Sequence, residues 1–164
     1  MAYRLRNAVF ADAPQLAEKH VRTFREAHGG GPPVSLREQQ WATVLSKDSP
    51  DDSTFVVEDE SGALVGFARV EATPDPDPLA CQGHLSKIYV LRAHHGRGIG
   101  RSLLLEAARR LRKMGANSMN LFGDARNPSN GFYERMGAER TYAENGDFHG
   151  GYGWRDLGKL LAAD

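Results

Sequence analysis

The segment His94-His95-Gly96-Arg97-Gly98-Ile99-Gly100-Arg101 constrains this chain more than any other. It joins an apolar run, Leu85 to Leu91, to the longest helical pattern present, in which Ile99, Leu103, Ala107 and Leu111 recur every four residues until Gly115 supplies a helix-ending glycine. A strand that turns through glycines into a helix presents backbone N–H groups without intrahelical partners, at the positive end of the helix dipole. Such a turn suits a phosphate group, with Arg97 and Arg101 as additional charge. The spelling weakens the commonest alternatives. A Walker loop needs Gly-Lys-Ser/Thr, and Gly100 is followed by Arg101-Ser102. A dinucleotide fingerprint needs Gly-x-Gly-x-x-Gly near the start of its domain, whereas here the glycines alternate after several earlier elements. A flexible glycine turn without a ligand would have the same spelling.

The rest of the chain predicts an α/β (α+β) class, a single domain over 1–164 with a mixed, mostly antiparallel twisted sheet. About six to seven strands flanked by about four helices are expected from a residue-by-residue pass. Tyr3 to Phe10 reads as a first strand. Asp12-Ala13-Pro14-Gln15 reads as a helix start, with Asp12 as N-cap and the helix running to about residue 27. Gly29 to Pro33 is a loop, and Ser35 caps a second short helix through Trp41 and Leu45, followed by a polar linker, Lys47 to Asp52. Ser53 to Glu58 and Ala63 to Thr73 alternate with period two around Ser61-Gly62, a hairpin. Pro74 to Pro78 is a loop before a strand from Gln82 to Leu91. After the long helix come a strand at Ser118 to Phe122, a helix opened by Asn127-Pro128 and closed by Gly137, and strands near Arg140 to Ala143 and Gly150 to Asp156.

Composition narrows the partners. The 164 residues carry 21 basic and 21 acidic side chains and no net charge, which speaks against nucleic acid. No apolar run reaches the roughly 20 residues of a membrane span, and no apolar stretch follows the charged Met1 to Arg6, so neither a membrane partner nor a signal peptide is expected. The single cysteine, Cys81, suits a reducing compartment, hence a cytoplasmic location. The six histidines form no chelating pattern, and no metal is expected.

The chain resembles the GCN5-related N-acetyltransferase (GNAT) superfamily in two motifs. The first reads Lys87-Ile88-Tyr89-Val90-Leu91, then His95-Gly96-Arg97-Gly98-Ile99-Gly100, where the family has Gln/Arg-x-x-Gly-x-Gly/Ala between a strand and a long helix. The second reads Asn127-Pro128-Ser129-Asn130-Gly131-Phe132-Tyr133-Glu134-Arg135-Met136-Gly137-Ala138, similar to the family's Asn-x-x-Ala-x-x-Phe-Tyr-x-x-x-Gly-Phe. His95 and Ala138 depart from the family pattern.

The resemblance implies the acyl-CoA N-acyltransferase fold and acetyl-CoA as co-substrate. Its pantetheine arm would lie along Ile88, Tyr89 and Val90, and its pyrophosphate on His95, Gly96, Arg97, Gly98, Ile99, Gly100 and Arg101. Asn127 or Asn130 would contact the pantetheine or the start of the following helix, and Arg135 the 3′-phosphate. It implies transfer of an acetyl group to a primary amine by direct attack, with Tyr133 as general acid and a backbone N–H of the Ile88–Val90 strand at the thioester oxygen. A phenol stays protonated at neutral pH and can donate to a departing thiolate. His84 and Glu71 are candidate bases, since an ammonium ion must lose a proton before it attacks; ordered water is the alternative.

Family resemblance also implies that the segment linking the first two helices, His28 to Ser35, and the last strands, Glu144 to Trp154, shape the acceptor site. Glu144 and Asp147 there favour a cationic small molecule. Trp41 and Phe24 either line that cleft or pack the core. A protein N-terminus or lysine is the alternative acceptor, a non-catalytic acetyl-CoA sensor the alternative function, and a homodimer a candidate assembly.

Overall fold

The computed structural model describes residues 2–73, 81–123 and 125–163, so the Pro74 to Pro78 loop lies outside the described residues. The chain divides into two compact units. One comprises Met1–Arg69 with Lys87–Leu104, the other Val70–Ser86 with Leu105–Asp164.

The first unit begins with β1 (Arg4–Asn7), which pairs antiparallel with β2 (Asp52–Glu58). The first strand ends sooner than its alternation suggests. The Arg6 guanidinium grips Asp12 with both nitrogens, Nη1 to Oδ2 at 2.8 Å and Nη2 to Oδ1 at 2.9 Å, and Val9 N–H donates to the same carboxylate. Asp12 is thereby drawn into a 3-10 turn, Phe10–Asp12, instead of capping α1 (Ala13–His28) with its side chain. Gly29, at φ 81°, closes that helix by donating to Arg25 O. Helix α2 (Val34–Leu45) starts after Pro33, one residue before the expected cap Ser35, which lies inside it. Ala13, Leu16, Ala17, Trp41, Val56, Leu64 and Phe67 form one buried cluster, which seats both helices on β2 and β3 (Leu64–Ala72).

Strand β3 is buried from Leu64 to Val70 and includes a charge, Arg69. Its guanidinium is satisfied by Thr54 Oγ1 at 3.0 Å and Asp52 at 3.3 Å, as a buried cation requires. Antiparallel β4 (Gly83–Val90) follows β3 in the sheet. Leu91 N–H donates to Val65 O, and Thr73 N–H donates to Gln82 O. Eight residue steps on one side thus face nine on the other, so β4 carries the extra residue of a β-bulge. Helix α3 (Ile99–Lys113) leaves the glycine turn. It packs close because Gly66 has no side chain: a Cβ there would meet Tyr89 O at 3.1 Å and the side chains of Ile99 and Leu103 at 3.3 Å.

In the second unit α3 ends at Gly115, φ 92°, with Ala116 N–H returning to Leu111 O. Strand β5 (Met119–Leu121) pairs parallel with β4 and antiparallel with β7 (Gly151–Trp154), which pairs with β6 (Glu139–Thr141). Gly83 sits so close to its neighbours that a Cβ would lie 2.8 Å from Leu111 Cδ1 and from Ser118 O. Helix α4 (Asn130–Arg135) begins later than Asn127-Pro128 suggests, because Asn127 makes a turn of its own. Its Oδ1 accepts from Ser129 N–H at 2.9 Å and its carbonyl from Asn130 N–H at 3.1 Å. A fifth helix, α5 (Leu157–Ala162), was not expected; Asp156 caps it through Lys159 N–H.

Among the described residues seven strands form one sheet in the order β1-β2-β3-β4-β5-β7-β6, as expected in number and in its mixed, mostly antiparallel character. No helix among these residues is long and apolar enough to cross a membrane.

Candidate active site

In the first unit, the second half of β4 and the glycine turn form one continuous feature. Gly96 and Gly98 have φ of 76° and 82°, a left-handed backbone that glycine adopts without strain. Added Cβ atoms at either would meet nothing within 4 Å, so these glycines leave an open face. Ser102 is the first residue whose N–H finds a helical carbonyl, Gly98 O at 3.0 Å. The amides of Ile99 and Gly100 therefore stand in the first turn of a fifteen-residue helix, ahead of its first intrahelical hydrogen bonds, which is the arrangement that binds a phosphate oxygen.

The turn is tied to its surroundings by side chains. His95 Nε2 donates to Val90 O at 2.9 Å, joining the end of β4 to the start of the turn through a side chain. The Tyr3 hydroxyl donates to His94 Nδ1 at 2.9 Å and accepts from Arg97 Nη1 at 3.2 Å. Arg92 is anchored to Glu26 through its N–H and its guanidinium. Strand β5 registers with β4 at His84↔Asn120, and β4 then runs six residues further, to Val90. The backbone of Ile88, Tyr89 and Val90 thus offers an edge to which an amide-bearing chain can hydrogen-bond as an extra strand.

Gly98→Ala isolates the backbone requirement, because its methyl group meets no neighbour. We expect the variant to lose about 1–2 kcal/mol of stability to left-handed strain. Acetyl-CoA affinity should fall about tenfold as the amides reorient. Thermal melting and a binding titration check both effects.

In the second unit, His84 Nδ1 donates to Asn120 Oδ1 at 2.7 Å, and its ring packs on Phe122 with centroids 5.6 Å apart. A neutral imidazole that donates through Nδ1 keeps on Nε2 the lone pair that a base needs. Glu71 is half-buried near the end of β3, two residues before Thr73, while His84 follows Gln82 by two. The Thr73–Gln82 hydrogen bond thus brings both candidate bases to the same end of the β3–β4 pair. Tyr133 is 6% exposed in α4, against Tyr152 at 5.6 Å and Trp154 at 6.4 Å between ring centroids. Asn130 Nδ2 donates to Ala125 O, so both asparagines of the second motif are engaged in shaping the approach to α4. Arg135 folds back along its own helix, its Nη1 3.2 Å from where a Gly131 Cβ would be.

Tyr3, Asn120, His20, Arg37 and Lys87 were not picked out as site residues by sequence reasoning. One signal was visible: His20 interrupts the otherwise apolar stripe of α1. It is 3% exposed and accepts a hydrogen bond from Trp41 Nε1 at 3.2 Å on its Nδ1. Burial, together with the charges of Arg37 and Lys87, pushes its pKa down to about 3. Among the described residues no group of three or more histidines, cysteines or acids is placed to hold a metal.

The sequence pattern of the acetyltransferase (GNAT) family matches residues 13–138. The N-acetyltransferase YuaI of Bacillus subtilis (strain 168), itself uncharacterized, is 30% identical over 170 positions, covering 95% of each chain. Among solved structures, the PaiA N-acetyltransferase of Thermoplasma acidophilum in complex with coenzyme A superimposes with TM-score 0.74 at 18% identity, over 93% of this chain and 98% of that one. A GNAT-family acetyltransferase of Staphylococcus aureus Mu50 gives 0.77 at 13% identity, over 95% and 99%.

Proposed function

The chain belongs to the acetyltransferase (GNAT) family and is an acetyl-CoA-dependent N-acetyltransferase, and from that premise we propose that it acetylates a small-molecule primary amine by direct attack, with Tyr133 as general acid. The observation that carries this reading is the junction of the Ile88–Val90 stretch of β4 with the left-handed glycines Gly96 and Gly98 that open α3. The two features suit a ligand with amides at one end and a pyrophosphate at the other. We further propose that residues 1–164 act as one N-acetyltransferase domain in the cytoplasm.

Acetyl-CoA supplies a thioester carbon that an uncharged amine can attack, with a thiolate as leaving group. The chain's own part is to bind, orient and move protons. The amides of Ile99 to Arg101, with Arg97 and Arg101, hold the phosphates. The backbone of Ile88 to Val90 aligns the arm, and one of its N–H groups stabilises negative charge as it builds on the thioester oxygen. His84 Nε2 takes the proton of the incoming ammonium, with Glu71 as the second base, and the Tyr133 hydroxyl gives its proton to the sulfur. Asn127 and Asn130 fix the entry to α4, and Arg135 supplies charge to the nucleotide phosphate.

The test is thermal unfolding with acetyl-CoA, CoA, NADH and ATP in parallel, followed by CoA release with an amine panel. At 100 times Kd a ligand adds about 2.7 kcal/mol, roughly 5–10 °C for a chain of this size. A shift with acetyl-CoA and CoA alone, and CoA release with an amine, is expected. A shift with NADH or ATP instead, or binding without turnover on any amine, overturns the reading.

A further inference from the structure

Arg97 stands between the left-handed glycines Gly96 and Gly98, and a residue 94 positions earlier in the chain holds its side chain. Its Nη1 lies 3.2 Å from the Tyr3 hydroxyl, and the same oxygen lies 2.9 Å from His94 Nδ1. What each group can do fixes the polarity of this chain of hydrogen bonds. A guanidinium only donates, so the phenol oxygen accepts from Arg97 and its one proton goes to His94 Nδ1. The Tyr3 ring also meets the His94 ring edge to face, with centroids 5.8 Å apart and planes at 81°.

Tyr3 is itself fixed from both sides. The Ala2 N–H donates to Glu60 Oε1 at 2.9 Å, and Arg4 opens β1 opposite Glu58 of β2. Tyr3 is half-buried, whereas Arg97 is exposed. A free arginine on a surface turn loses rotamer freedom when it captures a ligand, and that cost weakens binding. A side chain already ordered by a hydrogen bond to a fixed phenol loses less. Only one nitrogen of the fork is used on Tyr3, which leaves the donors of the others for a ligand.

We propose that Tyr3 is a positioning residue for the acetyl-CoA site: its hydroxyl, oriented by His94, holds Arg97 in the conformation that meets the pyrophosphate. Arg97 Nη1 stays on Tyr3, and the remaining N–H groups of the guanidinium are presented to the phosphate oxygens. The stretch before β1 thereby serves the cofactor turn without touching the ligand. This inference rests on the acetyl-CoA reading and adds to that same site a residue from outside both sequence motifs.

The experiment titrates CoA and dephospho-CoA, which lacks only the 3′-phosphate, into the parent chain, Tyr3→Phe, Arg97→Gln and the double variant. Tyr3→Phe removes one oxygen and keeps the ring against His94. It is expected to raise Kd about fivefold for both ligands, the scale of one hydrogen bond. Arg97→Gln should raise Kd at least about tenfold, the scale of a charge-assisted hydrogen bond. In that background Tyr3→Phe should add less than about twofold, because the two residues act through one contact. A role confined to packing β1 would not produce this coupling. His94→Leu removes the acceptor of the hydroxyl proton without altering β1; it should also weaken both ligands, again only while Arg97 is present, and it decides the matter if Tyr3→Phe does not fold. An unchanged Kd in Tyr3→Phe, a full fivefold loss repeated in the Arg97→Gln background, or a loss with CoA that is absent with dephospho-CoA overturns the proposal. In those cases CoA still binds and only the positioning role fails; if the parent chain binds neither ligand, the acetyl-CoA reading fails with it.

Discussion

Replacing Tyr133 by phenylalanine is expected to lower kcat about a hundredfold, near the low end of what a positioned general acid contributes. That corresponds to about 2.7 kcal/mol of transition-state stabilisation. The substitution is a narrow probe because the ring stays packed against Phe132, Tyr152 and Trp154 and only the hydroxyl is removed. Melting temperature and the affinity for acetyl-CoA should therefore change little, which separates proton donation from packing. A rate limited by thiolate departure should recover in part with a thioester whose thiol is more acidic. If kcat stays at the parent value, Tyr133 is a core residue and the proton reaches sulfur by another route.

Stability should fall steeply as the medium is acidified from about pH 6.5, and His20 is the cause. In the folded protein its pKa is pushed down to about 3, first by burial and then by Arg37 and Lys87. In the unfolded chain it titrates near 6.5. Between those values the unfolded state binds a proton that the folded state refuses, so folding weakens by about 1.4 kcal/mol per pH unit as pH drops. The hydrogen bond from Trp41 adds a geometric reason: a proton on Nδ1 would point one N–H at another. Urea midpoints measured between pH 7 and 4.5 should follow this slope, and His20→Leu should flatten it. The carboxylate of Asp12, held below the usual range by its hydrogen bonds from Arg6, acts at lower pH. Its contribution is present above about pH 4 and is lost as the medium falls through its folded pKa.

The glycine turn, α3 and the succession of strands along the chain were legible because their signals are local. Left-handed glycines, helix-ending Gly115 and Gly137, and four-residue spacing each depend on a few adjacent residues. Expectations failed where a side chain chose a distant or competing partner. Asp12 has the chemistry of an N-cap, but Arg6 reaches it first from β1. Asn127 looks like the cap of α4 and instead closes a turn before it. Helix α5 was overlooked although Asp156 and Lys159 have the spacing of a capped start. The hold of Tyr3 on Arg97 was not legible at all. It joins residues 94 positions apart, which meet only once the start of the chain and the glycine turn are brought together in the fold.

Gly66 gives the anion-binding turn a dimension that no residue of the turn controls. A single hydrogen atom at this point of β3 lets Ile99 and Leu103 settle onto the sheet, and the amides of Ile99, Gly100 and Arg101 ride on that first helical turn. A methyl group would act as a shim under the helix, lifting the cradle by a few tenths of an ångström without changing the chemistry of any ligand-facing group. The calibration of the phosphate site is thus set from beneath, at a position a survey of contact residues would never visit.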